Sequence, residues 1–181
     1  MNRFEEKTIS STNVYKGRVI ELRLEEVELP DGNHALRELI DHPGAVAVLA
    51  ITDDNKIVFV EQYRKALNRS IIEIPAGKIE PGEDKELTAI RELEEETGYG
   101  SRAFTYIQSF ATSPGFANEI IHIYLARDLY KVENPAPGDE DEFIRILECT
   151  IEEAKQMVQE EQIYDAKTAF AILYAEKLLD F

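Results

Sequence analysis

The sequence predicts a mixed α/β chain of the α+β kind, a β-sheet sandwich flanked by helices and preceded by an antiparallel β-hairpin sheet. Three observations carry this reading. Residues 45–51, AVAVLAI, form a continuous apolar run of strand length, as a strand covered on both faces requires. Residues 84–97 hold good helix formers between Pro81-Gly82 and Gly98, the punctuation of a helix that ends in a left-handed cap. Pro30-Asp31-Gly32-Asn33 stands between two apolar-rich stretches as a turn signal, so the chain should double back there.

In chain order, residues 19–29 alternate at Ile20, Leu22 and Leu24, then change phase to Val27 and Leu29, which predicts a bulged strand. Residues 34–40 return as its hairpin partner. His42-Pro43-Gly44 breaks the chain ahead of the apolar strand, and Asp53-Asp54-Asn55 turns that strand into another at residues 56–63. A short strand is expected at 70–75, then the helix, then strands at 104–110 and 120–126. Pro135-Ala136-Pro137-Gly138 opens an acidic loop ahead of a strand at 143–149. Helices close the chain at 151–160 and about 166–179, the second with Asp165 as N-cap. The break near residue 42 divides the chain into an N-terminal β-rich region, residues 1–42, and a larger domain, residues 43–181.

Acidic side chains outnumber basic ones by 36 to 20, a formal net charge of −16, and such a field repels nucleic-acid phosphates. An anionic small-molecule ligand would then need local neutralisation, for which a divalent metal is the obvious source. The apolar runs are far too short to span a bilayer, so no membrane partner is expected. The single Cys149 excludes a disulfide framework and a cysteine zinc cluster. With no apolar core for a signal peptide in MNRFEEKTIS, a cytoplasmic setting is expected.

On the helix at 84–97, Leu87, Ile90, Leu93 and Thr97 share one broad face, while Glu92, Glu95 and Glu96 gather on the other. An acidic run is ordinarily a solvated face. Two features favour chemistry instead. Arg91 stands among the acids, where its forked donors can organise carboxylates. The glycine-bearing loop Ala76-Gly77-Lys78-Ile79-Glu80-Pro81-Gly82 runs into the helix through Glu83, giving an oxygen-rich pocket of the kind that suits hard cations such as Mg²⁺.

Gly77, five residues, Glu83, seven residues, then Arg91-Glu92-Leu93-Glu94-Glu95-Glu96-Thr97-Gly98-Tyr99 resembles the complete box of the Nudix hydrolases, with Tyr99 where an aliphatic residue is usual. The resemblance implies the Nudix fold, with the box as loop, helix and loop. It also implies hydrolysis of a nucleoside diphosphate linked to another moiety, with Mg²⁺ or Mn²⁺ as cofactor. Glu92 and Glu96, one turn apart, are the best metal-ligand candidates. Glu95 is a further ligand or supports the others. The Ala76 carbonyl matches a ligand position in relatives, and Arg91 and Glu83 look like organisers of the cluster.

Further residues resemble the ADP-ribose pyrophosphatase branch. Pro114 lies fifteen residues after Tyr99, in the loop Ser113-Pro114-Gly115-Phe116-Ala117-Asn118-Glu119. Glu61-Gln62-Tyr63-Arg64, Leu36-Arg37-Glu38 and Tyr15-Lys16-Gly17-Arg18-Val19 match the branch as well. That likeness implies cleavage of ADP-ribose to AMP and ribose 5-phosphate. Arg37, Arg64, Glu119, Pro114 and Val19 then become candidate substrate contacts. It also implies a homodimer through the N-terminal region, which covers the adenine pocket. Near Val19 relatives often stack a ring on adenine, but this chain has no Trp, so stacking falls to another residue or to apolar packing. A glutamate in the loop Gly138-Asp139-Glu140-Asp141-Glu142-Phe143 is the implied general base: Glu142 first, Glu140 in reserve, Glu95 if neither serves. Other nucleoside diphosphate sugars or dinucleotides are the alternative substrates. A non-catalytic nucleotide-sugar-binding module is the alternative of another class, and the intact glutamates argue against it.

Overall fold

The computed structural model describes residues 3–138 and 142–179. Among these are ten strands and three helices, divided between two compact units. The first unit comprises the chain up to Gly44 together with Ala111–Ile120. It holds one antiparallel sheet in the order β1 (Lys7–Lys16), β2 (Glu21–Glu28), β3 (His34–Asp41). The turn between β2 and β3 forms as expected: Gly32 takes a φ of 85°, and the Asp31 carboxylate accepts the Asn33 N–H at 3.0 Å.

One expectation needs correction here. The β2–β3 register runs unbroken from Glu21 opposite Asp41 to Glu28 opposite His34, so β2 carries no bulge against β3. Glu25 and Val27 are buried on one face while Leu24 is exposed. The apparent change of phase arises because an acid, Glu25, takes an inward position beside Arg23 and Thr8. The irregularities lie in β1, between Thr8 and Ser10 and between Asn13 and Tyr15. Strand β1 itself has no apolar alternation, and all ten of its residues are exposed; pairing to β2 orders it. The Ala111–Ile120 segment joins this unit by backbone bonds, Ile40 N–H to Phe116 O at 2.7 Å and Asn118 N–H to Ile40 O at 3.1 Å.

The second unit holds a mixed sheet in the order β10 (Ile144–Cys149), β5 (Ile57–Arg64), β4 (Ala45–Ile51), β9 (Ile120–Lys131), β8 (Tyr99–Ala111). Short strands β6 (Arg69–Glu73) and β7 (Ala76–Lys78) pair with β5 and β4 respectively. The apolar run of β4 is explained by coverage on both faces. Ala45, Ala47, Leu49 and Ile51 pack with Ala154 of α2 (Ile151–Gln159) and with Ala171, Ile172 and Ala175 of α3 (Ala166–Leu179). Val46, Val48 and Ala50 face Ala89 and Leu93 of α1 (Lys85–Thr97). Each fully buried Val, Leu or Ile here contributes about 1.5–3 kcal/mol.

Strand β4 changes partner along one edge, and that change positions the site. It pairs antiparallel with β7 through Ala45–Ala47, then with β5 at Ala50 and Ile51. Between them the Val48 N–H donates to Pro75 O at 2.8 Å. The chain leaving β6 is thereby drawn against β4, and Ala76 and Gly77 are delivered beside α1. The loop expected at 76–82 therefore begins as a strand, held by backbone pairing its short sequence does not advertise. Strands β8 and β9 run beyond the expected 104–110 and 120–126. Among the described residues, no helix is long and apolar enough to cross a membrane.

Candidate active site

Helix α1 starts where Asp84 accepts the N–H groups of Glu86 and Leu87 at 2.9 and 3.3 Å. It stops at Gly98, which takes a φ of 66° and donates its N–H to Glu94 O. Its buried residues are Thr88, Ala89, Leu93, Glu96 and Thr97. Leu87 and Ile90, grouped by their spacing on one face with Leu93 and Thr97, are exposed. The inward face is therefore rotated from the one the apolar spacing indicates, and Glu96, only 7% exposed, lies within it.

Strand β7 supplies the wall opposite these acids. The Ala76 N–H donates to Glu96 Oε2 at 3.0 Å. At Gly77 the backbone runs so close to Glu92 that any Cβ would overlap its carboxylate, so only glycine fits with that side chain in place. Arg91 binds the rest of the cluster. Its Nε and Nη2 donate to the two oxygens of Glu83 at 3.0 and 3.1 Å, while Nη1 lies 2.8 Å from Glu95 Oε2 and 2.9 Å from Glu92 Oε1. One guanidinium thus holds three carboxylates.

The electrostatics of the acids differ sharply. The Arg91 hydrogen bonds hold Glu83 down at about 2. Burial pushes Glu92 up to about 7; Arg91 opposes that rise, while Glu95 and Glu142 add to it. Burial pushes Glu96 to about 8, against the pull of the Ala76 N–H, with Glu142 and Glu92 adding repulsion. Burial and mutual repulsion thus both favour the neutral forms of Glu92 and Glu96, against the pull of Arg91 and Arg64. Among the described residues no three carboxylate, imidazole or thiol groups converge into a ready-made cation cage. Glu92 and Glu95 lean on Arg91 instead. The available donors, Glu92, Glu95, Glu96 and the Ala76 carbonyl, are all oxygens, the set suited to a hard divalent cation.

Two further candidates face this cluster. The β10–β5 ladder ends with Ile144 opposite Gln62; Glu142 stands two residues ahead of β10, and Arg64, two residues on from Gln62, ends β5. Glu142 raises the Glu92 and Glu96 carboxyls, and both Glu96 and Glu142 favour the charged form of Arg64. Arg64 is clamped by Glu73, Nε to Oε1 at 2.6 Å and Nη2 to Oε2 at 3.0 Å. Sequence reasoning missed Glu73. Its signal was a lone acid among Ile71, Ile72 and Ile74, in a strand otherwise fit for the core.

Glu92, Glu95, Glu96, Arg91, Ala76, Arg64 and Glu142 thus belong to the second unit, and Glu140 lies outside the described residues. Arg37, Val19, Pro114 and Glu119 belong to the first. There Arg37 forms a two-pronged bond with Glu6 at 2.8 and 2.7 Å, and Val19 is exposed. The Thr112 hydroxyl donates to Glu119, which lies 3.6 Å from His42 Nδ1. His122 is depressed by burial and by nearby Lys85, and Cys149 is buried as a free thiol.

Comparison with known proteins places this geometry. Residues 41–169 match the NUDIX domain, and residues 6–40 match the nucleoside diphosphate sugar hydrolase N-terminal domain. The chain is 57% identical over 173 residues to a methanol dehydrogenase activator of Bacillus methanolicus, covering 96% of this chain and 94% of that protein. It is 53% identical over 176 residues to an ADP-ribose pyrophosphatase of Bacillus subtilis, covering 97% and 95%. An ADP-ribose pyrophosphatase of Mycobacterium tuberculosis is 34% identical over 168 residues, covering 92% and 81%. In fold, the crystal structure of an ADP compounds hydrolase superposes with a TM-score of 0.85 at 21% identity, covering 97% of this chain and 95% of that one. With its box, its sheet and these matches in agreement, the chain belongs to the Nudix hydrolase family.

Proposed function

We propose that this chain hydrolyses the pyrophosphate bond of ADP-ribose, releasing AMP and ribose 5-phosphate. The observation that carries the proposal is near-complete alignment, at 53% identity, with the Bacillus subtilis ADP-ribose pyrophosphatase, in a chain whose box acids are all present. The half-buried carboxylate of Glu92 and the buried one of Glu96, the glycine cradle at Gly77 and the oxygen-only donor set fit Mg²⁺, or Mn²⁺, as cofactor. Glu92, Glu96, the Ala76 carbonyl and Glu95 would hold it. When bound, the metal neutralises the pyrophosphate and polarises the phosphoryl group under attack.

The protein groups do the rest. Arg91 keeps Glu92 and Glu95 in place from its clamp on Glu83. Arg64 donates to a phosphate oxygen of the substrate. The Glu142 carboxylate takes a proton from water as the water oxygen bonds to phosphorus. The bond from phosphorus to the bridging oxygen then breaks, and the second phosphate departs with that oxygen. We infer that Arg37, Val19, Pro114 and Glu119 are further substrate contacts, and that residues 1–42 serve as a covering and dimerisation region. A homodimer in the cytoplasm is the working form we infer.

The Bacillus methanolicus relative favours a second reading. Its name ties a protein of this build to a dehydrogenase, and dinucleotide cofactors carry the same phosphoanhydride. The test is a panel of ADP-ribose, NADH, FAD and GDP-mannose, with and without Mg²⁺, scored by mononucleotide release. ADP-ribose is expected to give the highest kcat/KM. A dinucleotide in first place would install the second reading.

A further inference from the structure

Glu73 is 2% exposed in β6, between isoleucines, where an ionised acid is costly unless it is fully partnered. Burial works to neutralise it, but Arg64 and Lys167 together outweigh that and keep its carboxyl below the usual range. Lys167, in the first turn of α3, pairs with Glu73 and with Asp165 at 3.0 Å. The next residue, Thr168, accepts the Ile74 N–H on its hydroxyl at 3.0 Å. The start of α3 therefore grips both Glu73 and the residue after it, immediately before the chain enters β7. Fold alone does not require this arrangement, since a buried ionic cluster replaced by apolar side chains often gives an equally stable protein. The cluster holds one thing that an apolar core could not: the guanidinium of Arg64, engaged along the Nε and Nη2 edge with Nη1 outside the clamp. Glu96 and Glu142 also act on Arg64 and favour its charged form.

We propose that Glu73 is a positioning residue: braced by Lys167 and the first turn of α3, it fixes the plane of the Arg64 guanidinium so that Arg64 meets a substrate phosphate without further ordering. This rests on the phosphate-binding role of Arg64 proposed above. Glu73 touches no reacting group and acts through Arg64 alone. Fixing a rotamer-rich side chain beforehand strengthens the phosphate bond, because its ordering cost is already met in the folded protein. The effect belongs mainly in KM, since the phosphate is held in ground state and transition state alike.

The test is a double-mutant cycle on ADP-ribose with Mg²⁺, reading KM and kcat of wild type, Arg64→Gln, Glu73→Gln and the double variant. Arg64→Gln should raise KM about 10-fold or more, the weight of a charge-assisted phosphate bond. Glu73→Gln should raise KM about 3–10-fold with kcat far less altered. The double variant should match Arg64→Gln within about two-fold, because Glu73 then has nothing left to position. Should Glu73→Gln fail to fold, Glu73→Asp keeps the charge but shortens the reach, and the same cycle is run with it. Ile57→Val, a fully buried change at the other end of β5, controls for lost stability and should leave KM unchanged. A Glu73 effect repeated in full on the Arg64→Gln background, a wild-type KM in Glu73→Gln, or a raised KM in Ile57→Val would each overturn the assignment while leaving the role of Arg64 standing. A wild-type KM in Arg64→Gln would defeat both.

Discussion

Gly77→Ala isolates the geometry of the box in a single methyl group. Gly77 does not adopt a left-handed φ, so alanine meets no backbone strain there. The three atoms nearest the added Cβ all belong to the end of Glu92, whose carboxylate must withdraw by about 1 Å or more before the contact is tolerable. Glu92 can withdraw, because the atoms in the way are the far end of a flexible side chain. Folding should therefore change by less than about 1 kcal/mol, helped by the lower entropy of the unfolded alanine chain. Catalysis should not be spared, since a misplacement of about 1 Å can cost around 10²-fold. The assay is AMP release from ADP-ribose across a Mg²⁺ titration, alongside a thermal melt. Expected are a near-normal Tm, kcat/KM down about 10²-fold and a higher Mg²⁺ requirement. Activity within a few-fold of wild type would refute the reasoning that β7 positions Glu92; an unfolded variant would refute the claim that the carboxylate absorbs the clash.

Glu142→Gln should lower kcat by about 10²–10⁴-fold with KM nearly unchanged, as loss of a general base requires; an active Glu142→Gln moves the proton acceptor to Glu140 or Glu95. In metal-free protein, Glu92 and Glu96 titrate near 7 and 8, so the folded chain binds more protons than the unfolded one from about pH 5 to pH 8. Its Tm should therefore fall as pH rises through that window, and Glu96→Gln should flatten the fall while abolishing most activity; a rising Tm in wild type would contradict this sign. Full-length protein at micromolar concentration should scatter light as a dimer, and a monomer would remove the proposed role of residues 1–42 in assembly.

Where local chemistry decides structure, the sequence was readable. Gly98 marks the end of α1 because a left-handed glycine cap is decided within a few residues. AVAVLAI could only be a strand covered on both sides, as β4 is. The misses share a cause: order imposed from elsewhere in the chain. Strand β1, KTISSTNVYK, is polar and exposed, and only pairing to β2 makes it a strand. The three residues of β7 are ordered by β4 and Glu96. The phase of α1 was not legible because apolar spacing groups Leu87 and Ile90 with Leu93 and Thr97, whereas the helix turns Glu96 inward and leaves Leu87 and Ile90 exposed. For the site, the fixed spacing of the box made Glu92, Glu95, Glu96 and Arg91 legible. Glu73 was not, since its meaning depends on Arg64 and Lys167, 9 residues before it and 94 after.

The central claim is that buried acids on α1, held against β7, serve the hydrolysis of ADP-ribose. It is tested most directly by quantifying AMP and ribose 5-phosphate from ADP-ribose with purified wild type and with Glu92→Gln/Glu96→Gln, each in Mg²⁺ and in excess chelator. The account predicts equal amounts of both products from wild type in Mg²⁺, and only background from the chelated enzyme and from the double variant. Product formation by the double variant at the wild-type rate, or no AMP from wild type in saturating Mg²⁺, would contradict it.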